Sequence, residues 1–482
     1  MMAVKHIIDM VSMLLEALHQ EGGPKYKRVA TCLERLIAEG FLDNGAKLPT
    51  HRLLADKLNV TTGTISRAYR ELERTGLVCA RVGDGTFVAR KGLMEKHDGG
   101  FKNFVEEPLR PYDMSRNTHI PGLESAFLGK SLAVLAGDSS VLQELMLYGP
   151  EAGLARHREA GASWLSRGQS AIVNAEQVVC VNGSQHGLLC ALMALARPGD
   201  TIVTEQLTYP GLISAARMLG LRLVGVAMDQ QGLMPQALDD ACKVNRATVL
   251  YCTPTLQNPT CGVLESERRA AIADICRRHN LLILEDEAHG VLVDDRPPRL
   301  CEFAPERSIL ISSLSKAVAA GLRVGYLYAP LPLINRLEAS IRASCWMATS
   351  LTLELASRWI EDGTAEKLRQ HQIGEIVRRK ACVGPLLNGL VFATHTHSPH
   401  YWIEVPEPWR ASHIVAELQQ RGYLIAGSEA FAIGRAAVQQ FVRASVSNVS
   451  GGDQILIDGF GALAEILEQR ETSIPGTDFP FR

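Results

Sequence analysis

Lys316 lies in Ser312-Ser-Leu-Ser-Lys-Ala-Val-Ala-Ala-Gly-Leu-Arg-Val-Gly325, directly after the strand-like run Ser308–Ile311. A lysine preceded by hydroxyl residues and followed seven positions later by an arginine can offer an amine for Schiff-base formation, with phosphate ligands on both flanks. Taken alone, the same pattern also describes an ordinary exposed lysine. Three further segments bear on the choice. Val179-Cys-Val-Asn-Gly-Ser-Gln-His-Gly187 runs an apolar strand through Gly183 into a small-residue helix whose first amides can face an anion, although a plain glycine turn reads the same way. Leu284-Glu-Asp-Glu-Ala-His289 ends another apolar strand in carboxylates, where doubly wound sheets bring side chains to a ligand. Asp286 could there hold a protonated pyridine nitrogen or be a solvated strand end. Thr253-Pro-Thr-Leu-Gln-Asn-Pro-Thr-Cys-Gly262 is a turn-rich loop able to present the Asn258 amide to a ring oxygen.

These segments need a scaffold that delivers strand ends to one place. Strand-like runs at 177–181, 201–204, 247–252, 281–284 and 308–311 alternate with helical stretches, which predicts a mostly parallel sheet with helices on both faces, an α/β fold. The chain has 482 residues, 46% hydrophobic and 21% charged, the balance of a globular protein of about three domains. Its net charge of −2 gives no global preference for nucleic acid or membrane. No apolar run is long enough to span a bilayer, and Asp9 and Glu16 interrupt the N-terminal stretch, unlike a signal peptide, so a cytoplasmic protein is expected. Eleven cysteines without a C-x-x-C pair point to buried thiols in a reducing compartment and to no metal site.

Charge is distributed unevenly. Residues 25–90 carry twelve Lys or Arg against seven Asp or Glu, so a small basic module is joined to a larger acidic one. The basic module reads as helix, turn, helix, turn, helix and hairpin, marked by Leu33, Leu36 and Ile37, then Leu53, Leu54 and Leu58, then Ile65, Tyr69 and Leu72, then a turn at Gly83-Asp84-Gly85. Thr62 is the expected N-cap of the third helix. That helix projects Thr64, Arg67 and Arg70 away from its apolar face, a surface suited to phosphates and base edges. Before it, residues 1–24 hold one amphipathic helix expected to pack on protein, and residues 91–112 read as a linker. Residues 113–482 form the large module, with its main part at about 150–335 and a smaller α+β part at about 336–470.

The basic module resembles the winged-helix domain of the GntR family through Leu48-Pro49, Arg52, Leu54-Ala55, Val60, Thr64, Leu72-Glu73, Gly76 and the run Gly83 to Val88. The resemblance implies operator DNA as partner, contacted by Arg52, Thr62, Thr64, Arg67, Arg70 and the wing at Gly85. Thr62 stands where many members begin the recognition helix with arginine, so the operator sequence does not transfer.

Taken together and in order, the four segments of the large module resemble the fold-type I aminotransferases that use pyridoxal 5′-phosphate (PLP), over about residues 113–468. The resemblance implies that Lys316 bonds the cofactor covalently. Ser184 and Gln185 would supply backbone amides to its phosphate, and Ser313, Ser315 and Arg323 would complete the cup. Tyr209 matches the residue that stacks on the ring, Asn258 the amide near the phenolic oxygen, and Asp286 the partner of the pyridinium. Tyr148, in Tyr-Gly-Pro-Glu-Ala-Gly153, matches a segment reaching the neighbouring subunit's phosphate, which implies a homodimer with shared sites. Arg443 matches the arginine that clamps a substrate carboxylate. At His289 the family usually has tyrosine; the imidazole can donate to the same oxygen but ordinarily titrates near neutrality. Both resemblances together are the architecture of the MocR subfamily, PLP-dependent transcriptional regulators that sense an amine or amino acid. An active aminotransferase with an accessory DNA-binding arm is the alternative, and a cofactor-binding dimer with little chemistry is a third.

Overall fold

The computed structural model of the chain describes residues 2–19, 23–38, 41–42, 46–74, 77–81, 85–88, 112–168, 172–434, 440–448 and 452–468. It divides into two compact units, Met1–Asp98 and Gly99–Arg482. The segment expected to be the linker lies, but for Tyr112, outside the described residues. No described helix is long and apolar enough to cross a membrane.

The first unit holds helices α1 (Met2–His19), α2 (Lys25–Ala38), α3 (His51–Leu58) and α4 (Thr62–Arg74), followed by strands β1 (Val78–Arg81) and β2 (Gly85–Val88). The strands pair antiparallel, Val78 opposite Val88 and Arg81 opposite Gly85. Met10 and Leu14 of α1 are buried in the same core as Leu33 and Leu36 of α2, Leu54 and Leu58 of α3, and Ile65, Tyr69 and Leu72 of α4. Burying a side chain of this size contributes about 1.5–3 kcal/mol, so α1 belongs to the winged-helix core. Leu53, expected among the apolar markers of α3, is 46% exposed. It lies on the outer side of the helix, and Leu54 and Leu58 alone of the three enter the core.

Two local signals build the turn between α3 and α4. Thr50 caps α3 by accepting from Leu53 N at 3.3 Å, and Asn59, at φ 51°, closes it in the left-handed region that asparagine tolerates. Thr62 is not the cap of α4 but its first helical residue. The cap is Thr61, whose Oγ1 accepts from Thr64 N at 3.3 Å, because an N-cap side chain reaches the amide three residues on.

In the second unit a seven-stranded sheet runs in the order Val178–Val181, Gly325–Tyr328, Ser308–Ser313, Leu282–Asp286, Ala247–Cys252, Thr201–Glu205, Arg222–Val226. All pairings are parallel except the two made by Gly325–Tyr328. Alternate residues face opposite sides. On one side Val249, Tyr251, Leu284, Ile309 and Ile311 pack with Leu188 and Leu192 of helix Ser184–Leu195. On the other, Val203, Leu250, Cys252 and Ile283 pack with Ile272 and Cys276 of helix Ser266–Arg278.

A second, antiparallel sheet joins Phe392–Ala393, His400–Glu404, Phe441–Ser445 and Ala426–Gly427. Ile403, Val442 and Ala444 meet Ile414, Leu418, Phe460 and Leu463 of helices Ala411–Gln420 and Gly452–Glu468. The smaller part begins later than the expected residue 336. Helix Leu331–Cys345 packs Leu337 and Ile341 on the large sheet's helix Ser184–Leu195 and so belongs to the main part. Strand Tyr112–Asp113 pairs in parallel with Tyr423–Leu424, and the chain then runs inward as Ser115–Ile120.

Candidate functional site

The C-terminal ends of the large-sheet strands converge with the segment after Tyr112 and with the small sheet. Asp286 ends its strand 5% exposed; its Oδ2 accepts from the Tyr251 hydroxyl at 2.8 Å and its Oδ1 from Ala288 N at 2.9 Å. Burial raises its pKa, while those two donors pull it back. It is thus held as an oriented acceptor and not as a solvated strand end.

Lys316 sits in the turn after Ser308–Ser313, with Nζ donating to the Asn117 carbonyl at 2.5 Å. Burial, then the positive charges of Arg443 and Arg323, push its amine down to about 8. A lysine so placed is a far better nucleophile near neutrality than an exposed one.

Gly183, at φ 81°, turns strand Val178–Val181 into helix Ser184–Leu195. A Cβ there would meet Arg323 Nη2 at 2.6 Å, so only glycine lets the guanidinium reach the helix N-terminus. Arg323 Nη1 donates to Ser315 Oγ at 3.2 Å, and Ser315 N donates to Ser313 Oγ at 3.0 Å. The helix's first amides, at Ser184 and Gln185, complete a cup of donors without intrahelical partners. Gln185 Oε1 is buried without a partner, beside Tyr209, and Gly211 leaves room for both. Tyr209 precedes helix Pro210–Met218, and burial raises its pKa.

From the small sheet, Arg443 is 6% exposed, which excludes an exposed strand arginine. Nη1 donates to Asn258 Oδ1 at 2.6 Å and Nη2 to Ser115 O at 2.5 Å. Its guanidinium stands 4.7 Å over the Phe431 ring, and burial pushes it down to about 10. His289 is buried rather than near-neutral in its titration: burial, then Lys316 and Arg443, take it to about 3, so the ring is uncharged at physiological pH. Its Nε2 lies 3.3 Å from Asn117 Nδ2.

Tyr148 is the exception within one chain. It is 82% exposed, with its ring 5.6 Å from Trp346, and it joins none of the other residues. Residues that no motif marked are Asn117, Ser115, Tyr251, His400 and Phe431. Tyr251 could have been found from strand alternation, two residues before Thr253; Asn117 carries no such signal.

The set fits PLP: a buried carboxylate for a pyridinium, a depressed amine for an aldehyde, and an arginine-serine-amide cup for a phosphate. The family model for aminotransferase class I and II matches residues 132–453. The chain belongs to that family. Pyridoxal 5′-phosphate is the family's cofactor and that of this domain, and the model for bacterial regulatory proteins of the gntR family matches residues 25–88. This aminotransferase-family chain is 28% identical over 435 residues to the uncharacterized HTH-type transcriptional regulator YdeF of Bacillus subtilis, covering 88% of this chain and 90% of YdeF. It is 29% identical over 302 residues to the HTH-type pyridoxine biosynthesis transcriptional regulator PdxR of Corynebacterium glutamicum, covering 62% and 65%. In fold it is similar to an archaeal alanine:glyoxylate aminotransferase, at TM-score 0.69, 21% identity and coverage of 76% and 92%. A kynurenine aminotransferase of Pyrococcus horikoshii gives 0.68, 19%, 75% and 92%. A GntR-type DNA-binding module and a PLP-dependent aminotransferase-like domain thus share one chain, the MocR architecture.

In the winged helix, Arg52, Thr62, Arg67 and Arg70 are exposed and Thr64 is half-buried, while Ile65, Tyr69 and Leu72 face the core. Gly85 opens β2 at φ 118°, where a Cβ would come 3.0 Å from Lys47 Cε. The wing tip at 82–84 lies outside the described residues.

Proposed function

We propose that the protein is a cytoplasmic transcriptional regulator whose PLP site senses an amino acid or amine and alters DNA binding. The observation that supports this reading is that α4 presents arginines outward while Ile65, Ala68, Tyr69 and Leu72 line its inner face, and that Lys316, Asp286 and Arg323 converge in the other unit.

In this reading Lys316 holds PLP covalently and Asp286 keeps the ring nitrogen protonated. Ser184, Gln185, Ser313, Ser315 and Arg323 hold the phosphate, and Tyr209 covers the ring. Asn258 and His289 face the phenolic oxygen. PLP supplies an electrophilic carbon that captures a primary amine; the chain's residues select which amine arrives. Arg443, buried over Phe431, favours one carrying a carboxylate. Ligand exchange shifts DNA affinity only as far as the two ligand states differ in it.

A homodimer with shared sites is part of the proposal. Met146, Leu147, Tyr148 and Trp346 are 71%, 66%, 82% and 50% exposed, an apolar surface of the kind that a second copy covers. An active aminotransferase is the second reading, favoured by the intact set of Lys316, Asp286 and Arg443. The deciding experiment is a screen of amines and amino acids for spectral change in the PLP-loaded protein, each hit then tested in a DNA-binding assay. Hits that change absorbance and DNA affinity together support the regulator. Sustained turnover with no effect on DNA supports the enzyme.

A further inference from the structure

Three buried polar side chains stand against Lys316 in a hydrogen-bonded series. Asn117 Nδ2 is 2.9 Å from His400 Nδ1 and 3.3 Å from His289 Nε2. His400 Nε2 is 2.8 Å from the Pro259 carbonyl oxygen. Asn117 is also the residue whose backbone oxygen accepts from Lys316. All three are at most 9% exposed, and the two imidazoles meet edge-on with centroids 6.2 Å apart.

The Pro259 carbonyl sets the proton positions. A carbonyl oxygen only accepts, so His400 donates through Nε2–H. A neutral imidazole has one N–H, so His400 Nδ1 accepts, and Asn117 must turn its NH₂ towards it. The other hydrogen of that NH₂ goes to His289 Nε2, which accepts, and the proton of neutral His289 is left on Nδ1. Asn117 Oδ1 is buried without a partner in this orientation; the reversed amide would put the NH₂ in that place, require Nδ1–H on His400 and set two lone pairs against each other at Pro259, and each unsatisfied buried group costs about 1–3 kcal/mol. Asn117 is the one hydrogen-bond partner of the His289 ring among the described residues, and none of those residues accepts from Nδ1–H.

Both rings are held neutral by what faces them. His289 lies near the cations Lys316 and Arg443, and His400 near Arg443, His289 and Lys380; burial is the largest influence on each. Cys261 Sγ, 3.2 Å from His400 Nε2, stays a thiol because burial pushes it up to about 11.

We propose that Asn117 and His400 are positioning residues that lock His289 in its Nδ1–H tautomer, making it a donor of constant protonation towards the cofactor's phenolic oxygen where the family uses a tyrosine hydroxyl. The donor role rests on the cofactor placement proposed above; the lock does not.

The test uses full-length protein labelled with ¹⁵N-histidine and read by long-range proton–nitrogen correlation before PLP is added, with His289→Gln and His400→Gln for assignment. The expected spectrum shows Nδ1–H at His289 and Nε2–H at His400, unchanged between about pH 6 and about pH 8. An Nε2–H His289, or an imidazolium titrating in that window, overturns the proposal. Asn117→Asp gives a second measurement, because a carboxylate only accepts and would draw the His289 proton to Nε2. In the PLP-loaded protein it should move the pH midpoint of the cofactor's absorbance change by about one unit, and far less in a His289→Tyr background. An equal movement in both backgrounds would be a plain charge effect and overturns the donor role. Expected tautomers in a protein that binds no PLP would leave the lock standing and overturn both the donor role and the cofactor placement.

Discussion

Arg443 donates to Asn258 at 2.6 Å, tying the small antiparallel sheet to the loop that leaves strand Ala247–Cys252 of the large one. The residue proposed to receive a ligand carboxylate and the residue proposed to face the cofactor's phenolic oxygen are therefore direct partners. A carboxylate that took Arg443 for itself would compete for the guanidinium that Asn258 now holds, and under those proposed roles one side chain would link ligand binding to cofactor electronics.

Arg443→Lys keeps the charge but loses the planar fork. It should weaken an amino-acid effector by about 10- to 100-fold, the equivalent of about 1.4–2.8 kcal/mol, while PLP attachment changes little. Spectral titration with the effector and with PLP separates the two. Equal losses in both would show that Arg443 is structural.

The amine of Lys316 must be unprotonated to attach PLP. With its pKa lowered to about 8, the attachment rate should climb as pH rises and level off above about 8. A rate still climbing towards the ordinary lysine value of about 10.4 would contradict the buried setting. Lys316→Ala should abolish the borohydride-reducible PLP adduct seen by mass spectrometry.

Thr61, not Thr62, caps α4. Thr61→Ala should destabilise the winged helix by about 1 kcal/mol and Thr62→Ala by well under that. Chemical denaturation of the full chain, followed by a probe placed in the winged helix, measures both; the reverse order would restore Thr62 as the cap.

Arg67 and Arg70 are exposed on α4 and Arg52 on α3. Each changed to alanine should reduce the slope of log affinity against log salt by about 1 if it meets a phosphate. A residue that alters affinity for one sequence but leaves the slope alone reads a base instead.

Tyr148→Ala should leave the fold of the monomer intact, since the side chain is 82% exposed, and should weaken self-association in sedimentation analysis. Mixed dimers of Lys316→Ala and Tyr148→Ala chains should recover one full PLP site if sites are shared. No recovery would confine each site to one chain.

Most of the candidate site is legible in the sequence because its residues occupy strand ends and turns with their own local chemistry. Gly183 before a helix, Asp286 at the close of an apolar strand and Lys316 after hydroxyls each announce a backbone geometry. The strands Arg222–Val226 and Gly325–Tyr328 were not legible: one alternates weakly at the sheet edge, and the other follows the phosphate-cup turn without a pattern of its own. Asn117 and His400 come from an irregular segment and a small-sheet strand, and they meet only across more than 280 residues of chain. Long-range polar pairing leaves no periodicity to read. The near-neutral titration expected of His289 does not hold, because burial depends on everything packed around the ring.

Tyr112 is anchored by its amide to Gly422 O at 2.8 Å, and Met114 by its amide to Leu424 O at 2.8 Å. Asn117, which touches both Lys316 and the two imidazoles, follows Tyr112 by five residues, at most about 18 Å of extended chain. The first described residues of the second unit therefore lead to the reactive amine within five residues. A group that takes the Asn117 carbonyl away from Lys316 would therefore act first on the segment that opens the described part of the second unit, ahead of any strand of the large sheet.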